Sequence, residues 1–169
     1  MLDVITETVF CVGEVLADYV GQFALAAFTS NTRRACRFDL VKRFHEPWLH
    51  SRALLGSLEP GGYTRIGPAP RHAHELLLNE RASRKIVLLV TDGRPCDYDR
   101  YEGVYGIKDV KKAIEVGQRH GIQTHAFAVE KQAAEAFPQM FTRHHYDILP
   151  RPDALGSTMC KLFARLLTG

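Results

Sequence analysis

Apolar residues recur along this chain in two spacings, one typical of amphipathic helices and the other of buried strands. Between Asp3 and Gly21 they return at every third or fourth position, which predicts a first helix. Residues 23–29 are almost continuously apolar, and such a short run is typical of a strand buried on both faces. The continuous, β-branched run 86–90 predicts the clearest strand of the chain. The pattern further predicts an antiparallel edge strand at 35–40, helices at 48–58, 66–77, 107–117, 133–140 and 155–166, and strands at 124–129 and 146–149.

Prolines and leucines allow more detailed predictions for three of these helices. Pro68 and Pro70 are expected in the first turn of their helix, where a missing N–H costs little. Pro138 is expected to break or end the helix that contains it. Leu49 and Leu54 are expected to point inward in the helix that precedes these.

Helices and strands alternate through most of the chain. This order predicts an α/β fold with a doubly wound, mostly parallel sheet and helices on both faces. The 169 residues fit a single domain, residues 1–169, with one core. Ligands of such open sheets bind beyond the carboxyl ends of the strands, so the functional residues are sought there.

Charge and composition limit the classes of partner and the cellular compartment that we expect for this chain. The 22 basic and 19 acidic residues leave a net charge of +3 and form no basic stripe, so we expect no nucleic-acid partner. No apolar run approaches the roughly 20 residues of a membrane span, and the first residues lack the basic start of a secretory signal. The four cysteines are dispersed, which favours free thiols in a reducing compartment. We therefore expect a cytoplasmic protein.

Two oxygen-bearing side chains mark the candidate site. Asp92 and Gly93 follow the 86–90 strand, and Thr64 lies in a loop opened by Gly61 and Gly62, whose backbones can approach a ligand closely. A threonine hydroxyl and a carboxylate are hard ligands that suit Mg²⁺ or Mn²⁺. The alternative is structural, with the aspartate capping the turn after the strand and the threonine capping the following helix.

The longer motifs around these residues carry a family resemblance. The segments 44–48, 60–67 and 91–109 resemble the C-terminal von Willebrand factor type A (vWA) domain of the NorD/CbbO family, and the similarity extends over essentially the whole chain. The resemblance implies a vWA/Rossmann-like fold with a metal-ion-dependent adhesion site (MIDAS). Thr64 matches the threonine of the second ligand segment of that site, and Asp92 matches the aspartate of the third.

One family feature has no match in this sequence. The Asp-x-Ser-x-Ser segment at the end of the family's first, central strand would precede the helix that begins near Asp3, so the domain is expected to be N-terminally truncated relative to the family. Two ligands alone should bind a cation weakly or not at all. The missing strand should also leave the 23–29 and 86–90 strands facing a gap or pairing directly, which predicts lower stability or self-association through the gap.

The segment after Gly93 is rich in tyrosines and carboxylates, and three interpretations stay open. The three are a recognition surface, a carboxylate cluster that helps to hold a metal, and a solvated loop whose tyrosines cover the end of the sheet. The recognition hypothesis assigns partner contacts to Asp97, Tyr98, Asp99, Tyr101 and Glu102.

The family implies an adaptor or co-chaperone that works with a MoxR-type AAA+ ATPase (NorQ or CbbQ) in activating a metalloenzyme. For a NorD-like protein the target is nitric oxide reductase in denitrification, and for a CbbO-like protein it is Rubisco. The sequence has no Gly-x-Ser-x-Gly, P-loop or Gly-x-Gly-x-x-Gly motif and no zinc-type histidine set, so we expect a binding module rather than an enzyme. The remaining alternatives are a Mg²⁺-dependent phosphotransfer or hydrolytic enzyme of similar topology and a metal-free scaffold.

Overall fold

The computed structural model describes residues 2–20, 22–91, 93–129 and 133–168, and its elements follow the predicted order. Asp92, a predicted site residue, and Gly21, the predicted end of the first helix, lie outside the described residues. The elements are α1 (Leu2–Tyr19), β1 (Leu25–Thr32), β2 (Ala35–Lys42), α2 (Trp48–Leu55), α3 (Pro68–Leu78), β3 (Lys85–Thr91), α4 (Gly103–Arg119), β4 (Ile122–Ala128), α5 (Ala133–Met140), β5 (Tyr146–Ile148) and α6 (Ala154–Thr168).

The last three strands form a parallel sheet in the order β3-β4-β5. Lys85 pairs with Ile122 at the start of this register, and Thr91 pairs with Ala128 at its end. Because α4 connects β3 to β4, and α5 connects β4 to β5, both connections are crossovers of the predicted kind. The predicted α/β class is confirmed, and the carboxyl ends of β3 and β4 lie at the same edge of this sheet.

The first two strands form a separate two-stranded sheet. Only Arg33 and Arg34 connect β1 to β2, and a connection this short permits only antiparallel pairing. The predicted edge strand is thus confirmed. Most positions of β1 are only half-buried, so the prediction of a strand buried on both faces is wrong. Among the described residues, β1 and β3 belong to different sheets and do not pair directly.

The chain forms two compact units. The first comprises Met1–Ala27, Phe38–Gly61 and Arg151–Gly169, and its core centres on Trp48 and Leu55. The second comprises Phe28–Arg37 and Gly62–Pro150. The core of the second unit lies between its helices and its parallel sheet and consists of Ile66, Leu89, Val110, Ile114, Ala126, Ala128, Ala133, Ala136, Phe137, Met140 and Phe141.

Two of the helix predictions are wrong in detail. The second helix ends at Leu55, and its buried positions are Trp48, Ser51 and Leu55 rather than Leu49 and Leu54, which are exposed. Pro138 lies inside α5 without ending it. The prolines of α3 sit in its first turn, as predicted.

Candidate functional site

The loop that carries Thr64 is held by two backbone bridges. Tyr63 exchanges hydrogen bonds of 3.0 and 2.6 Å with Ser30 at the end of β1, and Thr64 exchanges bonds of 3.0 and 3.1 Å with Cys96 in the segment after β3. The Thr64 side chain is half-buried. The bridges therefore fix Thr64 against the segment that follows Asp92 in the sequence. Because α3 begins at Pro68 with Gly67 as its N-cap, the alternative in which Thr64 caps the helix is wrong.

The three glycines of the site differ in what their missing side chains allow. Gly62 has a φ of 71°, and a Cβ on it would lie 2.3 Å from Oγ1 of Thr29 and 2.7 Å from the carbonyl oxygen of Ser30. A Cβ on Gly61 would meet nothing within 4 Å. Gly93 is buried, and its N–H donates to Oγ1 of Thr91. Close approach of the loop backbone to β1 thus depends on Gly62.

An arginine next to Thr64 forms ion pairs with two of the carboxylates that are predicted to bind a partner. Nε of Arg65 donates to Oδ2 of Asp97 at 2.8 Å, and its Nη2 forms a second ion pair with Asp99. The Arg65 and Asp97 side chains are both buried. Burial by itself would lower the pKa of Arg65, but the hydrogen bond that Arg65 donates to Asp97 and the charges of Asp97 and Asp99 outweigh it and raise that pKa. Asp97 is therefore a structural ion-pair partner and presents no surface.

Tyr101 anchors the same loop from inside the second unit. Its side chain is fully buried, its hydroxyl donates to Oδ2 of Asp109 in α4, and the N–H of Gly67 donates to the hydroxyl at 3.1 Å. The guanidinium of Arg65 lies 4.0 Å from the centre of the Tyr101 ring. Burial and the neighbouring Asp109 raise the pKa of Tyr101 far above its ordinary value. Tyr101 covers the interior, as the structural interpretation of the loop expects.

The Asp109 carboxylate that receives this bond is itself paired with Arg71 of α3. Burial would raise the pKa of Asp109, but hydrogen bonds from Arg71 and Tyr101 lower it below its ordinary value. The loop after β3 is therefore tied both to the start of α3 and to the first half of α4. Local sequence patterns gave no sign of Arg65, Arg71 or Asp109 as parts of the site, because their partners lie far away in the sequence.

The remaining loop residues face outward. Tyr98 is 76% exposed and Tyr105, on the first turn of α4, is 61% exposed. Glu102 is exposed, occupies the N-cap position of α4 and makes no side-chain capping bond. Asp99 lies at the boundary, since its side chain is 27% exposed. Tyr98, Asp99 and Glu102 belong to the predicted partner-binding set, whereas Tyr105 does not.

The interpretation of this loop as a carboxylate cluster for a metal has little geometric basis. Among the residues that the structure describes, no group of three or more histidine, cysteine, aspartate or glutamate side chains could hold a metal ion. Asp97 and Asp99 instead neutralise Arg65. The placement of Asp92 is not described, so its pairing with Thr64 stays a prediction.

The two histidines of α3 differ in burial, and the cysteines form no pairs among the described residues. His72 is exposed while His74 is buried, so the two point in different directions from α3. The four cysteines are free and exposed. A contact that the sequence did not indicate joins the buried His125 to Asp147 of the neighbouring strand, with 2.8 Å between Nε2 and Oδ2. No helix within the described ranges has both the length and the apolar character needed to cross a bilayer.

Comparison with known proteins agrees with this architecture. The sequence model of the von Willebrand factor type A domain family matches residues 15–153 of this chain. Protein NorD of Stutzerimonas stutzeri is 37% identical over 153 residues, which are 90% of this chain and 25% of that protein. Protein NorD of Brucella abortus is 32% identical over 172 aligned positions, which are 100% of this chain and 27% of that protein. The chain thus spans about a quarter of the length of these curated relatives.

The fold also matches a solved structure at low identity. Proximal thread matrix protein 1 from the mussel byssus, in a structure with a zinc-occupied MIDAS motif, superimposes with a TM-score of 0.67 at 17% identity, over 95% of this chain and 41% of that chain. The family match covers most of the sequence, and the likeness to this solved structure agrees with it in fold. It belongs to the von Willebrand factor type A domain family, with NorD proteins among its relatives.

Proposed function

We propose that this domain is a partner-binding module of a NorD-like accessory protein, which acts with a MoxR-type AAA+ ATPase in activating nitric oxide reductase. The identity to NorD proteins supports this target over Rubisco, the target of CbbO-like proteins. The sequence contains no phosphate-binding P-loop, so mechanical work would come from the ATPase. In this role the domain itself binds and does not catalyse.

The observation that carries the proposal is the construction of the loop after β3. Its inner residues are held by Arg65, by the buried Tyr101 and by Asp109, while Tyr98 and Tyr105 project into solvent. Exposed tyrosines on a fixed backbone lose little conformational entropy when a partner covers them. This combination is typical of a recognition surface.

A divalent cation would belong to the same end of the second unit. The hydroxyl of Thr64 and the carboxylate of Asp92 are of the right chemical kind for Mg²⁺ or Mn²⁺, and the bridge to Cys96 holds Thr64 beside the segment that follows Asp92. Two ligands leave most of a six-ligand shell open, so the other ligands would be water, other segments and an acidic side chain of the partner. A bound cation would supply a positive charge for that partner carboxylate.

The proposal is tested by biolayer interferometry with a purified MoxR-type ATPase. We expect binding by this chain, and a loss of about tenfold or more in affinity for the double variant Tyr98→Ala/Tyr105→Ala, because both rings would lie in the interface. Tyr19→Ala is the matched control, since Tyr19 is an equally exposed tyrosine in the first unit. Unchanged binding of the double variant would overturn the assignment of the surface.

The proposed role of a divalent cation is tested with the same binding measurement. Mg²⁺ should strengthen binding of the wild-type chain, and both EDTA and Asp92→Ala should remove that gain without unfolding the chain. Isothermal calorimetry with Mg²⁺ alone should give the same ranking of wild type above Asp92→Ala and Thr64→Ala. Equal affinity of Mg²⁺ for all three proteins would remove these two residues from the site.

A further inference from the structure

A pocket of about 600 Å³ opens beside the exposed tyrosines, entirely within the second unit. Its size is that of a site for a side chain or a small ligand. The walls come from the turn between β1 and β2, from the loop after β3 and from the first turn of α4, and they consist of Thr32, Arg33, Arg34, Arg65, Asp99 and Tyr105.

The charges on the floor of the pocket are paired with one another and sum to one negative charge, because one guanidinium faces two carboxylates. Arg65 is bound to both Asp97 and Asp99, and it lies against the buried ring of Tyr101. Oδ1 of Asp99 faces Arg65, and its Oδ2 accepts the N–H of Arg33 at 2.9 Å. Both oxygens of this carboxylate are therefore engaged, and neither is left to attract a cation into the pocket.

The rim carries the available charge. Arg33 and Arg34 are exposed, and among the described residues neither side chain lies within 4.0 Å of a carboxylate oxygen. Their backbones are nevertheless fixed, because the N–H of Arg33 donates to Asp99 and the N–H of Arg34 donates to Oγ1 of Thr32 at 3.3 Å. Two guanidinium groups thus extend from an anchored turn without an acidic partner in the described part of the chain.

The opposite wall is aromatic. Tyr105 packs edge-on against Tyr101, with 5.5 Å between ring centres and an angle of 82° between the rings. Its neighbour Val104 is 65% exposed. An apolar surface that adjoins two unpaired arginines fits a ligand with an anionic group beside an apolar one.

We propose that Arg33 and Arg34 bind an aspartate or glutamate side chain of a partner protein, and that an apolar residue next to this carboxylate packs against Tyr105. Guanidinium groups match the planar geometry of a carboxylate and bind it through paired hydrogen bonds. The contact requires no metal, so it is separate from the pair Thr64 and Asp92. It rests on the proposed role of the loop as a partner-binding surface.

The carboxylates near the pocket favour a protein over a nucleic acid as its ligand. Glu102 is exposed where α4 begins, and Asp99 is partly exposed beside the arginines. A nucleic acid carries a phosphate at every nucleotide and would meet these carboxylates as well as the arginines. A single carboxylate in a mixed peptide avoids that repulsion.

The test uses random twelve-residue peptides displayed on phage and selected on the immobilised chain in EDTA. Selected peptides are synthesised, and their affinity is measured by fluorescence anisotropy. We expect aspartate or glutamate next to an apolar residue in the selected sequences, and about a tenfold or greater loss of affinity for Arg33→Gln/Arg34→Gln, because charge-assisted hydrogen bonds are removed. Arg143→Gln, at an exposed arginine elsewhere in the second unit, should bind as the wild type does.

Three outcomes would overturn the pocket assignment: selected peptides without acidic residues, equal binding to the double arginine variant, or tighter binding of a single-stranded oligonucleotide. The ATPase experiment separates this failure from that of the proposed function. If the ATPase binds the wild type and the double arginine variant equally, the partner role stands and the pocket assignment falls. If the ATPase binds neither while acidic peptides still require the arginines, the assigned partner falls and the pocket assignment stands.

Discussion

The hydroxyl of Tyr101 donates a hydrogen bond to the carboxylate of Asp109, and this contact fastens the loop after β3 to α4. The same hydroxyl accepts the N–H of Gly67, where α3 begins. One buried phenol therefore connects three segments around the candidate site. The exposed Tyr98 and Tyr105, which flank Tyr101 in the sequence, are held in position by these contacts.

Replacing Tyr101 with phenylalanine should destabilise the chain by about 1–3 kcal/mol, because the buried N–H of Gly67 loses its acceptor and the partly buried carboxylate of Asp109 loses one of its donors. Urea unfolding measures this, followed by far-UV circular dichroism because the single tryptophan, Trp48, lies in the first unit. Tyr98→Phe is the matched control and should change the free energy of unfolding by less than about 0.5 kcal/mol, since its side chain is exposed. Equal effects of the two changes on the free energy of unfolding would mean that the hydrogen bonds of the Tyr101 hydroxyl do not stabilise the chain.

The buried ion pair of Arg65 predicts an unequal response of its two carboxylates. Asp97→Ala should cost about 3–5 kcal/mol, because it leaves the guanidinium buried without its principal partner. Asp99→Ala should cost clearly less, because the Asp99 side chain is partly exposed and water can replace it. Chemical denaturation of both variants gives the ranking, and a reversed order would contradict the geometry of the pair.

The fold could be predicted from the sequence where the signal was local. The run 86–90 is β-branched and continuous, and it forms the strand β3 of a parallel sheet. The sequence predicts the second helix wrongly because its apolar pattern continues to residue 58, whereas the helix ends at Leu55 and buries the polar Ser51 as well as Trp48. A buried serine gives no hydrophobic signal, so the inward face was assigned to the wrong positions.

The candidate site was predicted only in part because its decisive contacts are non-local. Arg65 and Asp97 lie 32 positions apart, and Gly67 and Tyr101 lie 34 positions apart. Composition marked the loop after β3 as unusual but did not separate the buried Tyr101 from the exposed Tyr98. That separation depends on which ring reaches Asp109, and only the packed structure determines it.

The glycine pair before Thr64 offers a matched comparison. Gly62→Ala should destabilise the chain by about 1–2 kcal/mol or more, because its φ of 71° disfavours an L-residue and its new Cβ would clash with β1. Gly61→Ala should stay within about 0.5 kcal/mol of the wild type, because a Cβ there would meet no atom of the described residues within 4 Å. Thermal unfolding of the two alanine variants tests this, and equal melting temperatures would show that the loop does not need the close approach of Gly62.

The last prediction concerns pH and the buried histidine of α3. His74 accepts or donates a 3.0 Å hydrogen bond with Thr124 through Nε2, and its Nδ1 is buried with no hydrogen-bond partner in the described part of the chain. Burial, then the positive charges of His120 and Arg71, lower the pKa of His74 below its ordinary 6.5. The neutral ring is therefore favoured in the folded state.

Because the unfolded chain binds this proton more readily, stability is fully present above about pH 6.5 and falls as the pH drops from there toward the lower folded pKa. The slope contributed by this one group is at most about 1.4 kcal/mol for each pH unit. His74→Gln should be less stable at neutral pH, yet its stability should fall less steeply on acidification. His72→Gln, at an exposed position of the same helix, should keep the wild-type slope. Urea unfolding at a series of pH values from about 7.5 to 5.5 measures the slopes. If the His74→Gln slope equalled that of the wild type, the acid sensitivity would have to come from another group.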